Sequence, residues 1–165
     1  MCAVLIVQRC KNTNVNELYA NHKYIVVIFM FLQVLLVILG YDLWFYISHI
    51  ILHKSLYGFH MIHHKIVNPV FTDAYIGHWA EGPFQGLGVL LPYLFMDFDL
   101  FAFVVAIIII NARGMMRHDE RSNWLIGNHH LLHHKHPQYN YGEYWIDWLC
   151  GTRYMKDEEY GLIYV

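Results

Sequence analysis

Two long apolar regions are separated by polar sequence along this chain. The first, Tyr24 to Phe45, is almost uninterrupted and has about the twenty residues that a helix needs to cross a bilayer core. It continues without a proline or a Gly-rich break into residues 46–64. We therefore expect this helix, or one that follows closely, to leave the membrane carrying the histidines of that segment.

The second apolar region, Phe84 to Ala112, is interrupted at its middle by Asp97 and Asp99. Two carboxylates at the centre of a single span would each cost a few kcal/mol. The pattern therefore predicts a helical hairpin that turns at these aspartates, with arms of roughly residues 84–96 and 100–112. Both arms are short for a full crossing, so they are expected to be re-entrant or to cross a thinned bilayer.

Composition supports a membrane protein of one domain. The 165 residues are 57% hydrophobic and only 15% charged, which is apolar for a soluble domain of this size. A formal charge of -2 argues against nucleic acid as a partner. Cys2, Cys10 and Cys150 are odd in number and lack C-x-x-C spacing, so reduced thiols are expected. The apolar residues 1–10 are too short for a secretory signal peptide.

Histidines carry the candidate chemistry. Of the thirteen present, nine fall into a pattern: eight form three clusters whose spacings of three and four residues place imidazoles on one helical face, and His118 stands before the last cluster. A lone pair with this spacing is usually structural, but three clusters, two of them H-x-x-H-H, favour metal binding. Eight or nine imidazoles exceed one tetrahedral zinc site and imply two ions, with iron, copper, zinc and nickel all left open. The nine are His49, His53, His60, His63, His64, His118, His130, His133 and His134.

The membrane topology can be predicted if all of these histidines form one metal centre. Both sets must then lie on one membrane face, so the sequence between them crosses an even number of times. Arg9, Lys11 and Lys23 precede the first span and the other eight Lys and Arg residues follow it, which predicts a cytoplasmic histidine face. The predicted fold is all-α: a small membrane bundle of one long span and a hairpin, under a histidine-rich helical cap holding a di-metal site. We divide the chain into an N-terminal segment (1–23), a membrane domain (24–154) and a C-terminal tail (155–165).

Three segments together carry a family resemblance: His49–Lys65, Ala74–Gly82 and His129–Thr152. Over residues 41–154 the chain resembles the fatty acid hydroxylase / sterol desaturase superfamily. The resemblance implies a multi-pass oxidoreductase of the endoplasmic reticulum or an equivalent membrane, with the nine histidines as ligands of two iron ions. It also implies dioxygen as co-substrate, a lipid substrate, and electrons from NAD(P)H through cytochrome b5. Zinc can occupy a similar cage in purified protein.

Details of the motifs are nearest to the sterol C5-desaturase branch. Acyl-hydroxylase relatives carry a further histidine where this chain has Gly114, and the sterol branch shares the YNYG tetrapeptide (Tyr139–Gly142) and the D-x-x-x-G-T end (Asp147–Thr152). The expected substrate is therefore a sterol or a similarly bulky lipid, with a fatty acyl or sphingolipid chain as the runner-up. Hydroxylation and desaturation are both open.

Several other residues are candidates for smaller roles. His78 and Glu81 mimic a family H-P-x-E element, with Trp79 in the proline position, and they are either ligands, partners of ligands, or polar contacts at a helix start. Asn128 and His129 are either partners of ligands or solvated loop residues. Asp147 is expected to be a cap or a carbonyl partner, and His22 and His136 are assigned to the surface or an interface. An aromatic belt at the membrane interface is predicted from Tyr41, Trp44, Phe45, Trp79, Trp145 and Trp148.

Two other classes of protein compete with the enzyme. A non-enzymatic zinc-binding membrane protein also needs clustered histidines, but a transport path should place ligands within the spans, and residues 24–39 contain none. A b-type haem protein would place single histidines in facing apolar helices rather than clusters at a membrane edge. The sequence therefore favours a lipid hydroxylase or desaturase, with the zinc-binding protein as the alternative.

Overall fold

The computed structural model describes residues 15–161 and 164, with side chains from residue 24 onward. The predictions for residues 1–10 and for the side chain of His22 lie outside this range. The predicted all-α fold is confirmed for the described residues, which contain α-helices and 3-10 helices but no strand. The α-helices are α1 (Val15–Lys54), α2 (Tyr57–His64), α3 (Glu81–Gly86), α4 (Leu100–Arg117), α5 (Asn123–Ile126), α6 (His129–Lys135) and α7 (Tyr144–Cys150).

Helix α1 joins the first apolar region to the first histidines without a break. Its 40 residues extend about 60 Å, twice the thickness of a bilayer core. The sequence-based span ended at Phe45, whereas the helix ends at Lys54 and therefore carries His49 and His53 itself. The chain then reverses within Ser55 and Leu56 before α2 begins.

The chain reversal predicted at Asp97–Asp99 is confirmed. Before it, α3 and a 3-10 helix (Leu87–Leu94) run back along α1, so that Trp44 donates to the carbonyl of Phe84 at 2.7 Å and Gly40 lies against Pro92. This arm is not a regular α-helix, because Pro92 has no N–H group and the segment is rich in glycine. After it, the Asp99 side chain caps α4 by accepting from the Ala102 N–H at 2.7 Å.

Helix α4 extends five residues beyond the predicted end at Ala112 and finishes at Arg117. The reason is long-range pairing: Arg113 contacts the Asp42 carboxylate on α1, and both Arg113 and Arg117 contact the Glu143 carboxylate. These charges are therefore paired and at least partly buried rather than solvated at a helix end.

Two of the described helices are long and apolar enough to cross a membrane, Tyr24–Lys54 within α1 and α4 itself. Away from the histidines, the two helices pack together through a small core that includes Val37, Ala102 and Ala106. Most side chains of residues 24–39 are exposed and apolar. Both helices end at the histidines, as the even-crossing argument requires. The cytoplasmic orientation of that end stays a prediction.

Of the six aromatic residues assigned to an interfacial belt, three are exposed, two line a cavity, and Trp44 is half-buried with its indole N–H bonded to the Phe84 carbonyl. Trp79, Trp145 and Trp148 are exposed, with Trp79 82% exposed. Tyr41 and Phe45 instead face a cavity between α1 and α4. The belt itself stays a prediction.

Candidate metal centre

The nine predicted histidines all meet at one end of the helical bundle. His49 and His53 lie in the last turns of α1, and His118 directly follows α4. Helices α2 and α6 each contribute an H-x-x-H-H set, because residues three and four apart share a face of a helix. Their function as ligands stays a prediction, but the structure brings every one of the nine rings together.

The imidazoles form two groups, in each of which one ligand atom per residue lies within 4.8 Å of the others. Histidines that are adjacent in sequence belong to different groups, since neighbouring residues on a helix point about 100° apart. The five-histidine group contains His49, His53, His60, His64 and His133, and the four-histidine group contains His63, His118, His130 and His134.

Backbone carbonyls hold many of these rings by the Nδ1 atom. In the four-histidine group, Nδ1 of His63 contacts the Ile76 carbonyl at 3.0 Å and Nδ1 of His118 contacts the Gly114 carbonyl at 2.7 Å. Nδ1 of His134 contacts the Ile66 carbonyl at 3.0 Å. A carbonyl oxygen can only accept, so each Nδ1 carries the proton and the Nε2 atom of the neutral ring has a free lone pair.

The contact between His63 and His118 brings two nitrogen lone pairs close together. Their Nε2 atoms lie 3.0 Å apart, and because both Nδ1 atoms donate to carbonyls, neither Nε2 has a proton to share. Protonation does not relieve the repulsion, because burial lowers the pKa of His63 and, with the His63 ring nearby, lowers that of His118 to about 4. Inward-facing lone pairs of neutral, buried imidazoles are the donor set that binds a transition metal, so each group can hold an ion.

Glu81 contacts the imidazole of His60 in the five-histidine group. Its Oε1 atom lies 2.7 Å from Nδ1 of His60, and burial raises the pKa of this carboxyl to about 7. Its Oε2 atom is buried without a hydrogen-bond partner in the described structure. Glu81 is therefore placed as a partner of a candidate ligand, one of the roles that the sequence left open.

The other residues singled out from sequence lie outside both groups. His78 is half-buried, accepts from the Ala80 N–H at 3.3 Å and packs edge-on against Phe59. Asn128 directly precedes α6, and its side-chain amide donates to the carbonyl of Glu159 in the C-terminal segment at 2.8 Å.

His129 and His136 also point away from the candidate ligands. His129 contacts the buried Asp147 carboxylate at 3.0 Å. His136, assigned to the surface or an interface, is partly exposed and stacks on Tyr154.

Sequence reasoning missed the acceptors that orient the rings. Nδ1 of His49 contacts the Tyr141 carbonyl at 2.5 Å, and Nδ1 of His133 contacts the Tyr139 carbonyl at 2.5 Å. Any residue type provides a carbonyl, so residue identity gave no signal for them. Only the YNYG tetrapeptide marked the segment as unusual, and its Asn140 has a φ of 59°, in the left-handed region that asparagine tolerates better than most residues.

A cavity of about 380 Å³ adjoins both groups and extends down between α1, α3 and α4. Its volume lies in the range of sites that bind one small molecule. Imidazoles of both groups form one end, and Phe45, Val89 and Ile110 contribute apolar walls. Gln85, Asn111 and Arg117 add polar atoms. An apolar molecule in this cavity would lie against both groups.

Comparison with known proteins gives one match. No curated protein and no solved structure is similar enough to this chain to count as a match. A family model described as fatty acid hydroxylase matches residues 34–152, more than two thirds of the chain, and the match includes all nine histidines. Such a family suggests an oxygenase of the lipid hydroxylase or desaturase type, and with the two apolar helices it suggests association with a membrane. The chain belongs to the fatty acid hydroxylase family.

Proposed function

We propose that this protein is a membrane non-haem di-iron oxidoreductase that uses dioxygen to hydroxylate or desaturate a lipid. The observation that carries the proposal is the 3.0 Å approach of the His63 and His118 Nε2 atoms, which both present lone pairs in a buried site. A bound cation would convert that repulsion into coordination by both Nε2 atoms. Family membership favours iron among the metals that imidazole accepts.

The two groups would each hold one ion through their Nε2 atoms. When bound, the iron pair supplies the activation of dioxygen and the removal of hydrogen from an unactivated C–H bond. The chain contributes the orientation of the rings, through backbone carbonyls and Glu81, and a cavity that would place a lipid beside them and keep water out. His78, Asn128 and His129 are not proposed as ligands.

We propose a sterol or a similarly bulky lipid as the substrate, with a fatty acyl or sphingolipid chain as the second choice. The support is the likeness of the YNYG and G-T motifs, and of Gly114, to the sterol C5-desaturase branch. Gly114 lies in the cavity wall, where the absence of a side chain leaves room for a wide substrate. Either substrate would be an apolar molecule that reaches the cavity from the lipid phase.

We further propose that the histidine end faces the cytoplasm, in the endoplasmic reticulum or an equivalent membrane. Lys54, Lys65 and Lys135 are exposed close to the histidines, and positive charge favours the cytoplasmic side. Electrons would then come from NAD(P)H through cytochrome b5 or a similar donor on that side.

The test combines metal analysis of detergent-purified protein with lipid profiling of cells that express it. We expect two metal ions per chain and a hydroxylated or desaturated lipid in cells with the wild type. His133→Ala should abolish the product while the protein remains in the membrane, because it opens the five-histidine group without removing a span. The matched control is His136→Ala, which removes a histidine that belongs to neither group.

The result also separates the alternatives. Accumulation of modified sterols supports the first substrate, and modified acyl chains with unchanged sterols support the second. Product formation that survives His133→Ala would contradict the enzyme proposal. Tightly bound zinc without any lipid product, in cells supplied with iron, would favour the non-enzymatic zinc-binding protein.

A further inference from the structure

We propose that Asp147 is a positioning residue for the five-histidine group alone. This inference rests on the proposed function, because it assumes that the two groups bind metal ions. Asp147 touches no candidate ligand of that group. It acts through the backbone of Tyr139–Gly142, the segment named here the carbonyl loop.

The Asp147 carboxylate is completely buried and makes four contacts. Oδ1 accepts from the Tyr141 N–H at 2.9 Å and from the Thr152 hydroxyl at 2.6 Å. Oδ2 accepts from the Gly142 N–H at 2.7 Å and lies 3.0 Å from Nε2 of His129. All of the acceptor capacity of the carboxylate is therefore used, and half of it fixes two successive amides of the carbonyl loop.

The carbonyl loop in turn fixes two imidazoles, one on α1 and one on α6. The Tyr141 carbonyl accepts from Nδ1 of His49, and the Tyr139 carbonyl accepts from Nδ1 of His133. These contacts set the proton on Nδ1 and aim both Nε2 atoms into the same group. His49 Nε2 then lies 2.9 Å from Nε2 of His60.

Three of the four rings in the four-histidine group are held by other parts of the chain. Their carbonyl partners are Ile66, Ile76 and Gly114, which lie in the segment between α2 and α3 and in α4. None of these residues contacts Asp147 among the hydrogen bonds of the described structure. Loss of Asp147 should therefore loosen one group and leave the other intact.

If Asp147 had only a structural role, its removal would have a different effect on metal binding. Asp147 lies within α7 and also braces that helix against Thr152, so its removal must lower stability to some extent. General destabilisation affects both metal groups together. Selective loss of one ion is expected only if Asp147 acts through the carbonyl loop.

The experiment titrates Zn²⁺ into metal-free, detergent-purified protein and counts the ions bound per chain. Zn²⁺ is the probe because it does not undergo redox chemistry and accepts imidazole ligands. We expect two ions on the wild type. In Asp147→Ala, one ion should bind about 10- to 100-fold more weakly, which is the usual effect of removing a partner of a ligand, while the other is unchanged.

Two further variants complete the experiment. Asp147→Asn keeps the shape and one carbonyl acceptor, so its defect should affect the same ion but be smaller, and it carries the test if the alanine variant does not accumulate. Val37→Ala is the stability control, since Val37 is buried in the core about 18 Å before His49 along α1. It should lower the melting temperature without weakening the binding of one ion more than that of the other.

The inference is overturned if Asp147→Asn and Asp147→Ala leave both affinities unchanged, or weaken both ions equally. Those results would leave the proposed function standing, since the wild type would still bind two ions. A wild type that binds no metal would instead refute the proposed function, and this inference with it.

Discussion

A single added methyl group should change the stability of this bundle in opposite directions at two glycines. At Gly88, a Cβ atom would lie 2.7 Å from Cβ of Trp44 and 2.8 Å from Cα of Tyr41, so the arm formed by α3 and the 3-10 helix would have to move away from α1. At Gly114, inside α4, a Cβ atom would meet nothing within 4 Å. Gly88→Ala and Gly114→Ala are therefore a matched pair.

The magnitudes follow from these distances. Overpacking of a close helix contact costs about 1–3 kcal/mol, so Gly88→Ala should be destabilising by that amount. Gly114→Ala removes the conformational freedom of a glycine within a helix and should stabilise by up to about 1 kcal/mol. For a chain of this length, each kcal/mol corresponds to roughly 2–4 °C in melting temperature.

The assay is thermal unfolding of both variants and the wild type in the same detergent, with metal content measured on the same samples. We expect the melting temperature to fall for Gly88→Ala and to rise for Gly114→Ala. Metal content should be unchanged in Gly114→Ala, because the contact of residue 114 with His118 is made by its backbone carbonyl, which the substitution keeps. Equal shifts in both variants, or a stable Gly88→Ala protein, would refute the close packing of the arm against α1.

Three further predictions test the cavity, the buried charges and the histidines. Gly114→Phe should fill the cavity and lower product formation at least about tenfold, or roughly 1.4 kcal/mol in barrier, with both metal ions retained. Asp42→Asn should cost about 1–3 kcal/mol, measured by unfolding, because Arg113 loses its contact with the buried Asp42 carboxylate and keeps only Glu143, which it shares with Arg117; adding Arg113→Gln should restore part of the loss. The metal-free protein should lose stability in a pH series from about 6.5 down to 4, because the unfolded chain takes up protons near pH 6.5, whereas burial keeps the pKa of His118 at about 4.

The sequence predicted the elements of the fold better than their ends. Hydropathy located α1 and α4, and the two aspartates marked the turn, because uncompensated carboxylates are excluded from a span. The end of α4 was placed too early, at Ala112. In the sequence, Arg113 and Arg117 look like the polar end of the apolar helix. Their partners, Asp42 and Glu143, are distant in sequence, so the pairing could not be predicted.

The candidate site shows a similar division. Spacing alone predicted that the histidines of each cluster would share a helical face, and the structure brings all nine rings together. Their division into groups of five and four depends on how four separate elements pack. The carbonyls that orient the rings depend on backbone geometry, which residue identity does not encode. Asp147 was expected to be a cap or a carbonyl partner, but sequence did not connect it to His49 and His133.

The position of the histidines explains why the cavity is needed. Neutral imidazoles and the Glu81 carboxylate would not balance the charge of two divalent ions, so such a centre would be far less costly at the aqueous edge than within hydrocarbon. The length of α1 allows this, because about 60 Å of helix can cross a 30 Å core and still extend beyond it. A lipid, however, lies in the core. The cavity wall extends from His118 down α4 to Ile107, a distance of roughly 16 Å. Under the proposed function, it would let an apolar substrate reach the two histidine groups while most of the substrate's surface remains out of water.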